Sequence, residues 1–360
     1  MEARTHHLTG DRSHQNSPFR SHGKTPQSGL QTTWAAWTTF AAIALAAGVA
    51  IIAAAPPVQA AWKPTKPIQF IVMAGKGGGA DKAVRFLSKL MKTYRPDLPD
   101  IKVVNVSGRS GADALKSIDG LKGDAHTLMF TLNSFYTAPL NYPDIGVDIS
   151  KLTPIGRLAN DTFVLWVHSD RADIKTFEDF LKAARAKGKD WTMSGTGTGG
   201  EDNLLTDFLN TQYALNMTYV ARKGGGAVAK DLAEKRADST VNNPAEQSAF
   251  HSAGTTKPIV AITPKRLQQY LRTPTLKETG MSFHYFMQRS VVAPEAMPEQ
   301  ARVYYVELFE DIFKGPEWQG YRKKNSLQGD FITGNDLREF WVAEKEKHAR
   351  WRMSLELLRP

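Results

Sequence analysis

The chain has 360 residues, with 46 Lys and Arg against 36 Asp and Glu, a formal charge of +10 and no cysteine. Without thiols there is no thiol catalysis, no disulfide framework and little scope for structural zinc. The basic residues are scattered and no zinc-finger or aromatic RNA-binding motif is present, so a small anionic ligand or a membrane surface ranks ahead of nucleic acid as the partner of this charge.

Residues 1–33 are polar and carry Arg4, Arg12, Arg20 and Lys24, whereas residues 34–61 hold no charge. The apolar stretch from Phe40 to Ala55 is shorter than the about 20 residues that span a bilayer. Pro56 and Pro57 then break it, and Val58-Gln59-Ala60 places small residues at signal-peptidase spacing. An uncleaved anchor is the competing reading. Trp62-Lys63-Pro64 opens an ordinary polar chain, which favours a signal peptide over 1–60, cleaved after Ala60, and export to the periplasm. Four basic and two acidic residues leave with it, so the remaining 300 residues carry +8. That length suits one large domain or two medium ones.

Strand-like runs fall at 68–73, 101–106, 127–131, 163–167, 192–194, 217–220, 239–241, 259–262 and 283–286. They alternate with helix-like stretches, which predicts α/β layers. After Asp81, the residues Ala83, Phe86, Leu87, Leu90 and Met91 make one apolar helical stripe. Another helix starts at Thr176, which pairs with Asp179 in a capping-box pattern; Phe177, Phe180, Leu181 and Ala184 form its face, and Gly188 suits its end. Two long helices close the chain, one over 298–313 and one starting near Thr333 and Asp336, a second capping pair. Leu337, Phe340, Trp341, His348 and Trp351 of the last helix read as core.

Three glycine loops each follow a strand-like run and precede a helix-like one: KGGGADKA at 76–83, its echo KGGGAVAKD at 223–231, and SGTGTGGED at 194–202. Gly75 to Ala80 fit G-x-G-x-x-A and Gly195 to Gly200 fit G-x-G-x-x-G, the dinucleotide fingerprint. The acid that would hold a ribose is missing, because the next strands end in Val106-Ser107 and in Val220-Ala221-Arg222. No Gly-Lys-Ser/Thr phosphate loop follows either. The physics of such loops survives without a nucleotide. Glycines admit close approach, and helix N-termini offer free N–H groups and partial positive charge, which suit a carboxylate as well as a phosphate. No cofactor is expected.

Catalytic patterns are poor. His126, His168, His251, His284 and His348 show no metal-ligand spacing, and SGRSGAD at 107–113 misses G-x-S-x-G at Ala112. Glu178-Asp179 and Glu201-Asp202 sit at helix starts, where they oppose the helix dipole. No catalytic residue and no metal site are expected, and the chain is read as a binding protein rather than an enzyme.

In their order, these stretches resemble the Bug/TctC family, the periplasmic receptors of tripartite tricarboxylate transporters. KPIQFIVMAGKGGGADKAVRFLSKLM is similar to the family's opening, and VVNVSGRSGADALKSI to its V-x-N-x-x-G-A-G-G segment. DWTMSGTGTGGEDNLLTDFL resembles Y-x-S-x-G-x-G-S-x-x-H-L, TYVARKGGGAVAKDLAEKRADSTVNNPAE resembles V-P-Y-K-G-G-G-x-A-x-x-D-L, and PTLKETG resembles P-T-x-x-E-x-G. The resemblance covers almost all of the chain past residue 60.

It implies an α/β, two-domain periplasmic-binding-protein (Venus flytrap) fold, type II-like, with domain I over 62–163 plus 287–360 and domain II over 164–286. Hinge crossovers would lie near 163–167 and 284–289. The ligand would be a small organic carboxylate, and the closed form would dock as a monomer on membrane transporter subunits or a sensor kinase. By the same resemblance, backbone N–H groups of Gly77, Gly78 and Gly79, and the Ser194, Thr196, Gly197 and Thr198 loop, grip one carboxylate. Asp81 orients the first loop or meets a polar ligand group. Asn133 and Ser134 fall in a third loop, and Asn242 and Asn243 follow a second-domain strand. Two departures stand out: Ala74-Gly75-Lys76 replace the family's prolines, and Met287-Gln288-Arg289 fill a region where an aromatic is common. Lys76, Arg222 and Arg289 could be plain surface charges. The sharper expectation is that Lys76 or Arg289 faces the cleft and favours a di- or tricarboxylate. A ligand sensor subunit, or an exported α/β enzyme using the loops as an oxyanion site, is the alternative.

Overall fold

Two five-stranded mixed sheets organise the protein, in a computed structural model that describes residues 62–357. The expected signal peptide lies outside those residues. The first sheet begins with β1 (Ile68–Val72), whose glycine loop opens helix α1 (Gly79–Tyr94). It continues with β2 (Ile101–Asn105), α2 (Ala112–Asp119), β3 (Thr127–Thr131), α3 (Ser134–Asn141) and β4 (Thr153–Thr162). β1 lies parallel to β2 and β3, in register Ile68–Ile101 and Phe70–Leu128. The burial follows the pattern of the chain: every residue of β3 is buried, and Ala83, Leu87, Leu90 and Met91 of α1 pack down on the sheet.

From β4 the chain enters the second sheet across a single residue, Phe163. There follow β5 (Val164–His168), α4 (Phe177–Lys187), β6 (Thr192–Thr196), α5 (Glu201–Gln212), β7 (Thr218–Arg222), α6 (Gly225–Ala233), β8 (Ser239–Asn242), α7 (Pro244–Ser252) and β9 (Thr256–Ala261). Spatial order is β7-β6-β8-β5-β9. Residues 262–285 then return the chain to the first sheet as β10 (Phe286–Ala293), which lies antiparallel between β3 and β4 and gives the order β2-β1-β3-β10-β4. The two crossings run side by side: Ile262 N–H donates to Phe163 O at 2.9 Å and Tyr285 N–H to Ile262 O at 3.1 Å. Helices α8 (Glu299–Lys314), α9 (Pro316–Lys324) and α10 (Gly334–Leu357) complete the chain. Along α10, Leu337 and Trp341 join the first-sheet core, while Trp351 meets Phe208 and Phe283 beside the second. We call the two sheets with their helices the first and second lobes.

Local signals worked where they rested on backbone chemistry. The Thr176 cap forms, with Asp179 N–H donating to Thr176 Oγ1 at 3.1 Å and Thr176 N–H to Asp179 Oδ2 at 2.9 Å. Gly188 ends α4 with a φ of 56°. The expected Thr333 cap does not form, because the Thr333 hydroxyl donates to Ile155 O on β4 instead. β4 itself escapes a reading by hydrophobicity. Its sequence TPIGRLANDT is mostly polar or small, yet it is held by β10 on one side, and bridges to Gln328 and Ile332 cover its other edge.

Candidate functional site

The first glycine loop is built to present N–H groups toward the second lobe. Gly77 N–H donates to Asp81 Oδ2 at 3.0 Å, which folds the loop back on the start of α1. Burial would raise the Asp81 carboxyl, but Arg85, the Gly77 N–H and Asn105 outweigh it and hold it below the ordinary range. Gly78 caps α1 without a side chain, so the helix opens on free backbone donors. Gly79 N–H is not free: it donates to Glu246 Oε1, on α7 of the other lobe, at 3.0 Å. The other oxygen of Glu246 accepts from Asn242 Nδ2 at 2.8 Å and Asn243 N–H at 3.3 Å.

Arg289 on β10 stands behind this carboxylate, 2 % exposed, ion-paired to the equally buried Asp161 of β4. Its Nε reaches Asp161 Oδ2 at 3.0 Å and its Nη2 reaches Asn243 Oδ1 at 3.3 Å. Burial raises the Asp161 carboxyl against the pull of Arg289, and the nearby Glu246 adds to the rise. A methyl group on Gly79 would lie 2.9 Å from Arg289 Nη2, so a larger residue there would push the guanidinium aside. The echoed loops of the sequence face one another across the lobes. A methyl group on Gly75 would stand 2.5 Å from Lys223 O, and one on Gly226 3.1 Å from Gly77 O.

A second set of cross-lobe contacts starts from α3. Ser134 N–H donates to Oε1 of Glu201, the first residue of α5, at 3.2 Å. Ser110 Oγ donates to Thr198 O at 2.8 Å and accepts from Thr198 N–H at 3.1 Å, and Asn141 Nδ2 donates to Gly199 O at 2.8 Å. Burial raises the carboxyls of both Glu201 and Asp202, the latter strongly, with Glu246 adding to the effect on Asp202. Asp202 Oδ2 accepts from Thr196 N–H at 2.7 Å, which pins the loop after β6. Next to these contacts is a cavity of about 730 Å³, with walls from both lobes. Met73, Leu132 and Tyr142 give it apolar surface, and Ser134, Thr198, Glu201, Arg109 and Lys223 give it polar groups. Ser134 Oγ is buried there without a hydrogen-bond partner among the described residues. A cavity of about 620 Å³ between residues 264–269 and 319–328 receives none of the glycine loops.

The residues singled out in the sequence fall into three groups. Ser134, Thr196, Gly197 and Thr198 line the cross-lobe cavity. Gly78 and Gly79 surround Glu246, with Gly77 beside them, and Lys76 is exposed on the same loop without an ion pair among the described residues. The rest are engaged by the protein's own groups. Asn133 Nδ2 donates to Tyr285 Oη and Phe286 O, Ser194 Oγ donates to Asp231, and Asn243 Nδ2 donates to Thr162 O. Asn242 serves Glu246 and Gln247, Asp81 serves Gly77 and Arg85, and Arg289 serves Asp161. Arg222, weighed as a surface charge, is half-buried and pairs with Asp231. Sequence reasoning passed over Glu246, Asp161, Ser110 and Arg109. Only Glu246 left a local mark: with Pro244 at the first turn, Asn243 and Glu246 have capping spacing. Among the described residues, no group of three or more acidic or histidine side chains is placed to hold a metal ion.

Comparison with known proteins places this geometry. Residues 95–350 match the tripartite tricarboxylate transporter family receptor. Among curated relatives, the chain is 23% identical over 240 residues to the protein BugT of Bordetella pertussis, covering 64% of this chain and 71% of that protein. It is 22% identical over 256 residues to a protein encoded between ttuE and ttuC' in Agrobacterium vitis, covering 70% and 73%. Its fold is similar to that of the R. palustris protein Rpa4515 with adipate, with a TM-score of 0.77 at 20% identity over 81% of this chain and 98% of the other. It is also similar to the periplasmic binding protein BugD, with a TM-score of 0.74 at 18% identity over 82% and 99%. MatC from Rhodopseudomonas palustris with bound malate gives 0.71 at 18% identity over 81% and 100%. With its family signature over 95–350 and the two-lobed fold of periplasmic binding proteins, the chain belongs to the TctC family of tripartite tricarboxylate transporter receptors.

Proposed function

We propose that the protein is a periplasmic receptor that captures a small organic carboxylate, a di- or tricarboxylate by preference, for a tripartite tricarboxylate-type transporter. The observation that carries this reading is the cavity of about 730 Å³ shared by both lobes, with Ser134, Arg109 and Lys223 among its lining residues. Its volume falls within the about 300–1,000 Å³ of ordinary ligand pockets. Two relatives of the same fold carry adipate and malate, both dicarboxylates. Residues 62–163 with 287–360 form the one moving body and 164–286 the other, and the paired crossings at Phe163 and 262–285 are the hinge. Ligand binding shifts the open–closed balance. Ser134, Thr196, Gly197 and Thr198 touch the ligand, and the other expected residues hold the loops and lobes that frame the cavity.

A thermal-shift screen of organic acids tests the reading. A micromolar binder at millimolar concentration adds about 4 kcal/mol of stability. For a chain of this size that is a rise of roughly 5–7 °C. A library of mono-, di- and tricarboxylates that leaves the melting temperature unmoved at millimolar concentration overturns it.

A further inference from the structure

The facing glycine loops of the two lobes already enclose an anion, and it belongs to the chain. We propose that Glu246 is a tethered carboxylate that occupies the anion seat between these loops and latches the lobes together. Oε1 takes the Gly79 N–H at the start of α1, where no side chain caps the helix. The other oxygen takes Asn242 Nδ2 and Asn243 N–H in its own lobe, so a single carboxylate bridges both. Lys82 on α1 reinforces the bridge by donating to Ala245 O at 3.0 Å.

Gly225 lies against the carboxylate, where a methyl group would displace it, and methyl groups on Gly78 and Gly79 would stand in ordinary contact with Oε1, at 3.4 and 3.6 Å. Arg289, the cation behind the seat, is committed to Asp161. A ligand carboxylate would therefore compete for the same N–H and enter beside two acidic side chains with one paired cation. The latch thus directs the ligand to the neighbouring cavity and removes from the seat the demand for a ligand carboxylate. This deepens the reading of the cleft as a carboxylate site, but its test reads lobe closure rather than ligand binding. A failed acid screen and a failed latch are therefore separate results.

The experiment is small-angle X-ray scattering on the purified protein and on Glu246→Ala and Glu246→Gln, with circular dichroism to confirm folding. Both variants should show a larger radius of gyration than the parent. Glu246→Gln keeps the side-chain volume and one acceptor at the start of α7, so it folds even if the alanine variant does not. Acetate at tens of millimolar should return Glu246→Ala to the parent radius, while chloride at equal ionic strength should not. It should leave Glu246→Gln open, because the amide still fills the seat. A folded variant of either kind with the parent radius, or an alanine variant indifferent to acetate, overturns the proposal.

Discussion

Arg289→Ala separates a structural cation from a ligand-binding one. In the structure its guanidinium is 2 % exposed and its charge is matched by Asp161, which is 1 % exposed. Removing one partner of such a pair leaves an uncompensated buried charge and costs about 3–5 kcal/mol, or roughly 5–8 °C in melting temperature for a chain of this length. The loss should depend on pH. Without the arginine, the already raised Asp161 carboxyl rises further, so the folded protein binds a proton that the unfolded chain, near the ordinary value of 3.8, releases. The deficit is therefore largest at neutral pH and shrinks as pH falls through the raised value. Arg289→Met combined with Asp161→Asn should recover most of the loss, because the pair is removed rather than broken. Differential scanning calorimetry at pH 7.5 and 5.5 reads all three proteins. If Arg289→Ala melts with the parent at pH 7.5 while affinity for di- and tricarboxylates falls, the arginine serves the ligand and the structural argument fails.

Gly75→Ala puts a methyl group 2.5 Å from Lys223 O, backbone against backbone, and should block full closure. An overpacking cost of about 1–3 kcal/mol weakens ligand binding by roughly 5- to 150-fold, and isothermal titration would show it. Lys76→Ala removes an exposed loop cation and should weaken di- and tricarboxylates more than monocarboxylates; unchanged di- and tricarboxylate affinity, or an equal loss in both classes, would refute a role for Lys76. Asp161, Glu201 and Asp202 all have carboxyls raised by burial, so the folded state holds more protons than the unfolded chain between the ordinary and the raised values. Stability should therefore rise as pH falls from 7.5 toward 5, and Asp202→Asn should flatten that slope. Asp81 and Asp231, held below 3.8, lose their contribution only in stronger acid. Thr176→Ala should cost about 0.5–2 kcal/mol through the lost cap of α4, read in urea unfolding.

The sequence was most readable where hydrophobic period and backbone chemistry agree. β1, β3 and the α1 stripe lie within a residue or two of their expected places, because their side chains are apolar and buried. β4 and β10 were not readable that way. β10 was expected at 283–286 and runs over 286–293, with Gln288, Arg289 and Ser290 in its buried centre. Each is paired there: Gln288 Nε2 with Leu132 O, Arg289 with Asp161, and Ser290 Oγ with Gln288 Oε1. A buried polar strand follows from partners supplied by distant segments, and a window of neighbouring residues does not contain them.

The same limit explains how the site was read. The glycine loops marked where anions meet backbone, but the pattern could not say whose anion. Asn243-Pro244-Ala245-Glu246 shows a cap for α7, and that reading is true as far as it goes, since Glu246 accepts from Asn243 N–H. Its second partner, Gly79, lies 167 residues away. Net charge misleads for a similar reason. The chain is +10 overall, yet Arg289 is the only buried Lys or Arg among the described residues, whereas Asp161, Glu201 and Asp202 are all buried around the cleft. Lys76 and Lys223 are exposed without an ion pair among the described residues, whereas Arg109 is paired with Asp113 and Asp144. The interior holds the acids, each tied to backbone N–H groups or to an arginine, so an anion that enters must find donors left free by that arrangement. Ser134 Oγ, buried at the start of α3 without a hydrogen-bond partner among the described residues, is one polar group that the arrangement leaves over.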